Sequence, residues 1–237
     1  MTLSMRRLRM QSQIVGSPLS VLDITLNQGE ELLVEAGRTA WMDASIQMRT
    51  TAMSHGGGLF GALKRVAGGG PWFWSTLTGP GRVGIAATLP GAIEPIELRA
   101  GSSGILAHRA AFLAGTRGVQ VGVGFQQRLG AGIFGGDGFV LQHLTGDGTA
   151  WVQLGGSFVP YDLQPGETLL VHPQHIGLFD DTVQFDITMI RGISNKLFGH
   201  EGLFLCRLQG PGRVYCQSMA VPQLAQDIEP YLPQKQQ

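Results

Sequence analysis

Two histidines and an aspartate in the last third of the chain are the residues best suited to chemistry. His172 and His175 lie three residues apart, and Asp180 follows five residues later. Imidazole and carboxylate groups are ligands for zinc and iron, and a site needs three or four of them. Residues three apart on a strand point to opposite faces, but Pro173 bends the chain, which allows the two rings to converge. His172, His175 and Asp180 therefore define a metal-binding alternative.

The same segment meets the metal motif of cupin barrels only in part. Cupins use Gly-x5-His-x-His followed by a Glu. Gly166 and His172 keep the Gly-x5-His spacing, but the next histidine is His175, and Phe179 takes the place of the Glu. We therefore expect these polar residues to have turn and surface roles, with a cupin-like metal enzyme or sensor as the alternative.

Other signatures of catalysis are absent from the sequence. There is no Gly-x-Ser-x-Gly elbow for a serine nucleophile, and neither cysteine belongs to a Cys-x-x-Cys pair. The glycine-rich segment 56–65 lacks the Gly-Lys-Ser/Thr ending of a phosphate-binding P-loop. The remaining histidines have no partner at a telling spacing; they are His55, His108, His143 and His200. The sequence predicts no catalytic residue, no cofactor and no enzyme activity.

A short glycine turn that occurs three times organises the chain. Its copies are Leu77-Thr-Gly-Pro-Gly-Arg-Val83, Leu144-Thr-Gly-Asp-Gly-Thr-Ala150 and Leu208-Gln-Gly-Pro-Gly-Arg-Val214. Gly, Pro and Asp favour tight turns, and strand-like runs flank each copy, so each turn predicts a β-hairpin. The first glycines of the three turns are 67 and 64 residues apart, which indicates an internal repeat.

Two further landmarks recur in the same order as the turns. A leucine, a turn closed by glycine and a short apolar strand occupy 26–34, 98–106 and 163–171. An apolar pair followed by glycine recurs at one fixed distance before each turn, as Val66-Ala-Gly68, Ile133-Phe-Gly135 and Leu197-Phe-Gly199. We predict a lead-in, three β-modules and a tail, with these bounds: 1–20, 21–92, 93–158, 159–220 and 221–237.

Short strands dominate the predicted secondary structure. Alternation of apolar and polar residues predicts strands at 21–26 and 183–190, among others. One helix is predicted over 59–67, between two glycine triplets, and a single helical turn over 223–228. Glycine-rich turns between short apolar runs are typical of an all-β sandwich or barrel.

The charge and composition restrict the partners. Seventeen basic and seventeen acidic residues give a net charge of zero, which argues against nucleic acid and anionic membranes as partners. Charged residues make up only 14% of the chain, which suggests that other subunits cover part of the surface. Since no run reaches 18 apolar residues, no transmembrane segment is expected, and we expect a soluble cytoplasmic protein.

The two cysteines flank the third glycine turn. Cys206 and Cys216 lie symmetrically about Pro211, so they could face each other across a hairpin. A disulfide there would need an oxidising compartment, and we expect no signal peptide, since no apolar h-region follows the basic residues near the N-terminus. We expect two small apolar strand residues.

Three motifs of the first module together resemble the mitochondrial-biogenesis Aim family. They are Gly56-Gly-Gly-Leu-Phe-Gly-Ala-Leu-Lys-Arg65, the strand Trp72-Phe-Trp74 and the first glycine turn, and the resemblance covers about 14–220. It implies a fold similar to the tryptophan RNA-binding attenuation protein, in which a short double-stranded β-helix is used several times per chain. It supplies no catalytic residues, and the basic rings by which the attenuation protein binds RNA have no match here.

Together the repeats and the resemblance predict an all-β protein. Three internally repeated short double-stranded β-helix or β-sandwich modules are expected in a pseudo-threefold arrangement, with one short helix. The expected function is that of a non-enzymatic scaffold or binding protein that forms homo-oligomers and has an unidentified protein partner. The alternatives are the cupin-like metal protein and, by analogy of fold alone, an RNA or small-ligand binder.

Overall fold

The computed structural model describes residues 10–52, 73–127, 139–189 and 204–233. Within these ranges it consists of β-strands, the helix α1 (Val221–Ile228) and two 3-10 turns at Pro173–His175 and Glu229–Tyr231. The prediction of an all-β fold is confirmed. The helix predicted over 59–67 lies outside the described residues, whereas the tail forms a longer helix than the single turn predicted there.

The strands fall into three sets of six. After β1 (Gln11–Val15), the first set is β2 (Val21–Leu26), β3 (Glu31–Glu35), β4 (Thr39–Met42), β5 (Gln47–Ala52), β6 (Phe73–Thr78) and β7 (Gly81–Ala86). The second set is β8 (Gly91–Leu98), β9 (Ile105–His108), β10 (Phe112–Thr116), β11 (Val119–Gln127), β12 (Phe139–Gly146) and β13 (Gly148–Gly155). The third set is β14 (Phe158–Leu163), β15 (Thr168–Val171), β16 (Ile176–Asp180), β17 (Gln184–Met189), β18 (Phe204–Gln209) and β19 (Gly212–Gln217).

Every set follows the same antiparallel pairing plan. The sixth strand pairs with the first and the third, and the fifth strand pairs with the second and the fourth. A register shift interrupts the pairing of the third strand with the sixth at the same place in each set, next to Trp41, Ala114 and Leu178. The strand plan is therefore used three times, as the repeats predict.

The glycine turns connect sheets, so the prediction of a β-hairpin at each turn is wrong. The strands on either side of a turn pair with other strands and belong to different sheets. In the first and third modules the turn bonds instead to the loop between the first two strands, whereas in the second the N–H of Asp147 donates to Gly118, between the third and fourth strands. The N–H of Gly79 donates to the carbonyl of Glu30 at 3.0 Å, and that of Gly210 donates to Glu167 at 2.9 Å. A Cβ at Gly79 would lie 2.4 Å from the carbonyl oxygen of Asn27, so this close approach requires glycine.

Four sheets result, and the two middle ones cross the module boundaries. Their strand orders are β1-β2-β7-β4 (sheet A), β5-β6-β3-β10-β13-β8 (sheet B), β11-β12-β9-β16-β19-β14 (sheet C) and β15-β18-β17 (sheet D). Sheets B and C each combine strands of two modules, so the modules share their sheets. The division into separate modules at 92 and 158, and their pseudo-threefold arrangement, stay predictions.

Three hydrophobic cores lie between consecutive sheets. The first joins sheets A and B, the second joins B and C, and the third joins C and D. In the second core, Trp74 of the first module meets Phe112 of the second edge to face, with ring centroids 5.0 Å apart. Burial of this kind provides the main stabilisation of the fold, and it depends on side chains from neighbouring modules.

Candidate functional site

The acidic residues near the glycine turns hold the start of the sixth strand in each module. In the first module, the N–H of Arg82 donates to the carboxylate of Asp43 at 2.7 Å, and its guanidinium Nε donates to Asp23 at 2.8 Å. The hydrogen bond from Arg82 keeps the pKa of Asp23 below its usual value.

The other two modules place equivalent bonds at the same position. The N–H of Arg213 donates to Asp180 at 2.8 Å, and its guanidinium donates to Asp162 at 2.9 Å. In the second module, Thr149 donates through its N–H to Thr116 at 3.1 Å and through its hydroxyl to Glu97 at 3.0 Å. The carboxylate of Asp180 therefore has a structural role that does not involve a ligand.

The structure brings His172 and His175 together. His172 directly precedes the 3-10 turn between β15 and β16, and His175 is the last residue of that turn; their ring centroids are 5.8 Å apart. His175 Nδ1 is 2.8 Å from the carbonyl oxygen of Gln217. His172 Nδ1 is buried and has no hydrogen-bond partner among the described residues. Burial, together with the neighbouring His175, lowers the pKa of His172.

These histidines do not form a complete metal site with their neighbours. The carboxylate of Asp180 is bonded to the backbone of Arg213. In the described part of the chain, no three His, Cys, Asp or Glu residues are arranged to hold a metal ion. The geometry offers at most two imidazoles of the three or four ligands that zinc or iron requires.

Two of the remaining histidines, His108 and His143, have structural contacts. His108 Nδ1 accepts a hydrogen bond from the N–H of Ala110 at 3.3 Å. Burial of the ring, with a smaller effect of Arg109, lowers the pKa of His108 to about 4. His143 Nε2 lies 2.9 Å from the carbonyl of Ser103 and 3.2 Å from Asp181. His55 and His200 lie outside the described residues.

Both cysteines are free thiols packed at the third core. Cys206 is fully buried on β18 in sheet D, while Cys216 is half-buried on β19 in sheet C. Because these strands belong to different sheets, the cysteines do not face each other across a hairpin. Burial, together with the charge of Asp186, raises the pKa of Cys206 to about 12, and burial also raises that of Cys216. Neither thiol is suited to act as a nucleophile at neutral pH.

Two buried glutamines, which the sequence analysis missed, tie the modules together. Gln217 Oε1 accepts from the N–H of Gly155 at 3.0 Å, and its Nε2 donates to the carbonyl of Gln174 at 3.0 Å. Gln153 makes the same type of contact one module earlier, with the N–H of Thr88 and the carbonyl of Ala110. Both glutamines stand five residues after the second glycine of their turn, a repeated spacing that could have identified them.

The best candidate for a binding surface is apolar. Strand β4 is an outer strand of sheet A, and β15 is an outer strand of sheet D. Trp41 and Met42 of β4 are 55% and 39% exposed, and Leu170 of β15 is 53% exposed. We call the sides of these two strands that have no strand partner among the described residues the open edges. Of the other tryptophans, Trp74 and Trp151 are buried in cores, and Trp72 lies outside the described residues.

The fold and these contacts define a class: an all-β protein of repeated modules, whose described polar groups mainly serve the architecture. Comparison with known families identifies the family. The chain belongs to the family described as "Mitochondrial biogenesis AIM24", whose model matches residues 12–219. The resemblance noted in the sequence is therefore confirmed.

The relatives are bacterial. An uncharacterised protein of Streptococcus pyogenes serotype M6 is 26% identical over 220 residues, which cover 90% of this chain and 87% of the relative. An X-ray crystal structure of a Streptococcus pyogenes protein matches with a TM-score of 0.74 at 23% identity, covering 94% of this chain and all of that one. At this identity the second match supports the fold alone. Among the described residues, no helix has the length and apolar character needed to span a bilayer.

Replacing Gln217 with Ala is expected to lower the free energy of unfolding by about 1–3 kcal/mol, because it leaves the N–H of Gly155 and the carbonyl of Gln174 without their buried partner. Urea denaturation followed by circular dichroism measures the change. Gln223→Ala is the matched control, since Gln223 is exposed on α1 and bonds only to Asp227 nearby. We expect the control to change stability by less than about 0.5 kcal/mol. Equal losses in both variants would contradict a locking role for Gln217.

His108 is expected to make the protein less stable in acid. Its pKa is about 4 in the folded chain against 6.5 as the ordinary value, so below pH 6.5 the unfolded chain binds a proton that the folded chain excludes. The contribution of neutral His108 to the free energy of unfolding is fully present above pH 6.5. It is lost progressively towards pH 4, by at most about 3 kcal/mol.

The variant His108→Asn tests this effect, because it keeps an acceptor for the N–H of Ala110 and removes the titrating ring. Unfolding free energies of the two proteins are compared across the acid range. The difference between them should shrink or reverse as the pH falls. A difference independent of pH would show that the ring does not resist protonation in the folded state.

Proposed function

We propose that the protein is a non-enzymatic scaffold or binding protein that associates with further copies of itself. The observation that carries this proposal is the repeated structural use of polar groups. The acid at Asp43 recurs as Asp180, and the glutamine at 153 recurs as Gln217, each bonded in the same way. Residues kept by the architecture of a repeat are poor candidates for a reaction performed at one place.

Self-association is supported by the apolar side chains of the open edges. A strand with an unpaired side presents free N–H and C=O groups, which are a template for pairing with another chain. Trp41 and Leu170 add large exposed apolar surfaces next to such groups. Aromatic residues are enriched in protein–protein interfaces, whereas single exposed hydrophobic residues away from strand edges are common on monomers.

Light scattering coupled to gel filtration tests the association. At micromolar concentration, the measured mass is expected to be a multiple of the 25.3 kDa chain and to fall on dilution. The buried and half-buried cysteines should leave this mass unchanged when a reductant is added. A mass of one chain at every concentration would overturn this part of the proposal.

A second candidate function is metal binding by His172 and His175. The observation that favours it is the buried, unpartnered Nδ1 of His172, next to a second imidazole. Elemental analysis of the purified protein distinguishes the two functions. This alternative predicts a stoichiometric metal that disappears in His172→Ala and remains in the control His143→Ala. The scaffold proposal predicts no stoichiometric metal in any of the three proteins.

Binding of RNA has less support. Four arginines pair with carboxylates in the described part of the chain; they are Arg38, Arg82, Arg117 and Arg213. Such pairs reduce the positive potential available to phosphates. A small ligand would have a shallow polar groove of about 260 Å³ beside β1, in which Asp23 and Arg82 are already bonded to each other. The identity of a protein partner and the cytoplasmic location stay predictions.

A further inference from the structure

Neighbouring modules are joined by one type of strand pairing. The second strand of a module pairs with the third strand of the next module. Thus β3 pairs with β10, with Val34 opposite Ala114 and Leu33 opposite Gly115. In the same way β9 pairs with β16, with Ala107 opposite Leu178 and Leu106 opposite Phe179. We call these two pairings the module junctions. Each one completes a six-stranded sheet.

The two open edges are the unused halves of a third junction. The second strand of the third module is β15, and the third strand of the first module is β4. Both are outer strands of their sheets. Their pairing inside each module fixes the equivalence of positions. Leu208 on β18 is equivalent to Leu77 on β6, and their partners are Leu169 and Leu32. The next residues along these strands, Leu170 and Leu33, are therefore also equivalent.

Three side chains at the open edges are more exposed than their equivalents at the module junctions. Trp41 is 55% exposed, whereas its equivalents Ala114 and Leu178 are completely buried. Met42 is 39% exposed, whereas Phe179 is completely buried. On the other strand, Leu170 is 53% exposed, whereas its equivalent Leu106 is 9% exposed and its equivalent Leu33 is half-buried. The open edges therefore have apolar residues at the positions that form the module junctions, but these residues are exposed to solvent.

We propose that β15 of one copy pairs with β4 of a second copy, in the register of the module junctions. This inference rests on the self-association proposed above and specifies its interface. The register places Val171 opposite Trp41, Leu170 opposite Met42 and Leu169 opposite Asp43. Sheet D of one copy and sheet A of the next then form a single sheet. In the same way, sheet B and sheet C each combine strands of two modules within the chain. The strand that β15 needs is the third strand of a following module. The third module has no following module in the described chain, and the first module of a second copy supplies that strand as β4.

The open edges carry no feature that would block this pairing. Proteins protect edge strands with charges, prolines or irregular backbone. Among the six other outer strands that the structure describes, β1 and β11 have no such residue, and four have one: β5 has Arg49, β8 has Pro95, β14 has Pro160 and β17 has Asp186. Neither Thr39–Met42 nor Thr168–Val171 contains a charge or a proline. The bulge in β4 is no obstacle, because β10 and β16 have the same bulge and are paired on both sides.

The third junction is expected to be less polar than the two inside the chain. Arg117, just after β10, forms an ion pair with Glu31 at 3.3 Å, and Asp181, just after β16, donates its N–H to Gly104 at 3.1 Å. The position after β4 that corresponds to Arg117 and Asp181 is occupied by Ala44, and Thr168 occupies that of Glu31 and Gly104. Association through the open edges should therefore depend little on salt.

An interface between two different edges is heterologous. Each copy keeps one free edge after pairing, so the assembly continues until it closes into a ring or grows as a filament. A two-fold dimer, in which the same edge meets itself, is not expected. Closure of β15 onto β4 of the same chain is the competing arrangement, and the experiment below separates it from pairing between copies.

Cysteine cross-linking tests the register and the partner. The variants Met42→Cys and Leu170→Cys are purified separately, mixed and oxidised, and the products are separated by non-reducing electrophoresis. Their exposed positions leave the fold intact, which circular dichroism verifies. We expect a cross-linked dimer in the mixture and little in either variant alone. The double variant Met42→Cys/Leu170→Cys should give a ladder of multimers. The parent chain and a mixture of Leu19→Cys with Leu170→Cys are the controls, because Leu19 is 59% exposed but lies outside the register.

Other products would overturn the inference. Dimers of each single variant alone would indicate a symmetric interface. A double variant that loses its two new thiols without a gain in mass would show closure within one chain. Leu170→Arg gives an independent measurement, because a charge placed in the pairing should raise the concentration needed for association by at least about tenfold. If the wild-type protein associates without cross-links and Leu170→Arg has no effect, this junction is wrong but the scaffold proposal stands. A wild-type monomer without cross-links would exclude this junction and the self-association proposed above.

Discussion

The structure depends on one constraint: the second and third strands of a module need backbone partners that the module itself does not supply. A six-strand module does not satisfy it alone, because its second and third strands each have one side without a partner inside the module. The neighbouring module supplies that partner, and the sheets consequently cross the sequence repeats. Hydrophobic burial follows the same rule, since the middle core contains residues of all three modules. The repeat in the sequence and the unit of stability in the structure are therefore different.

The polar residues follow from this architecture. Each time the chain passes from one sheet to another at a glycine turn, backbone groups at the start of the sixth strand need partners. Asp43, Asp180 and Thr116 provide them. Gln153 and Gln217 do the same at the links between modules. The polar groups named here therefore serve the architecture of the repeated modules.

Much of the fold was accessible from the sequence. Periodic turns and alternating strands predict an all-β protein built from three repeats, because both signals are local and occur more than once. Strand partners were not accessible. The runs around Gly79 look like a hairpin, but local pattern does not show that β6 and β7 pair in different sheets. Nor does it show that Leu170 is exposed and Leu106 buried, since that difference depends on the neighbouring module. The proximity of His172 and His175 was predicted correctly as a possibility, whereas the structural role of Asp180 depends on a strand 33 residues away.

The crowding at the glycine turns also limits how this sequence can diverge. A Cβ at Gly79 would lie 2.4 Å from a backbone oxygen, and a Cβ at Gly210 would lie 2.5 Å from one. Both distances are far shorter than a van der Waals contact. Adjustment of a flexible side chain cannot relieve that contact, because the oxygen belongs to the main chain. These two sites should consequently accept no other amino acid over long evolutionary times, while Gly29 and Gly166, which have open space around the missing Cβ, can drift wherever a positive φ is tolerated. The invariant points of the lineage would then mark where sheets change and reveal nothing of what the protein binds.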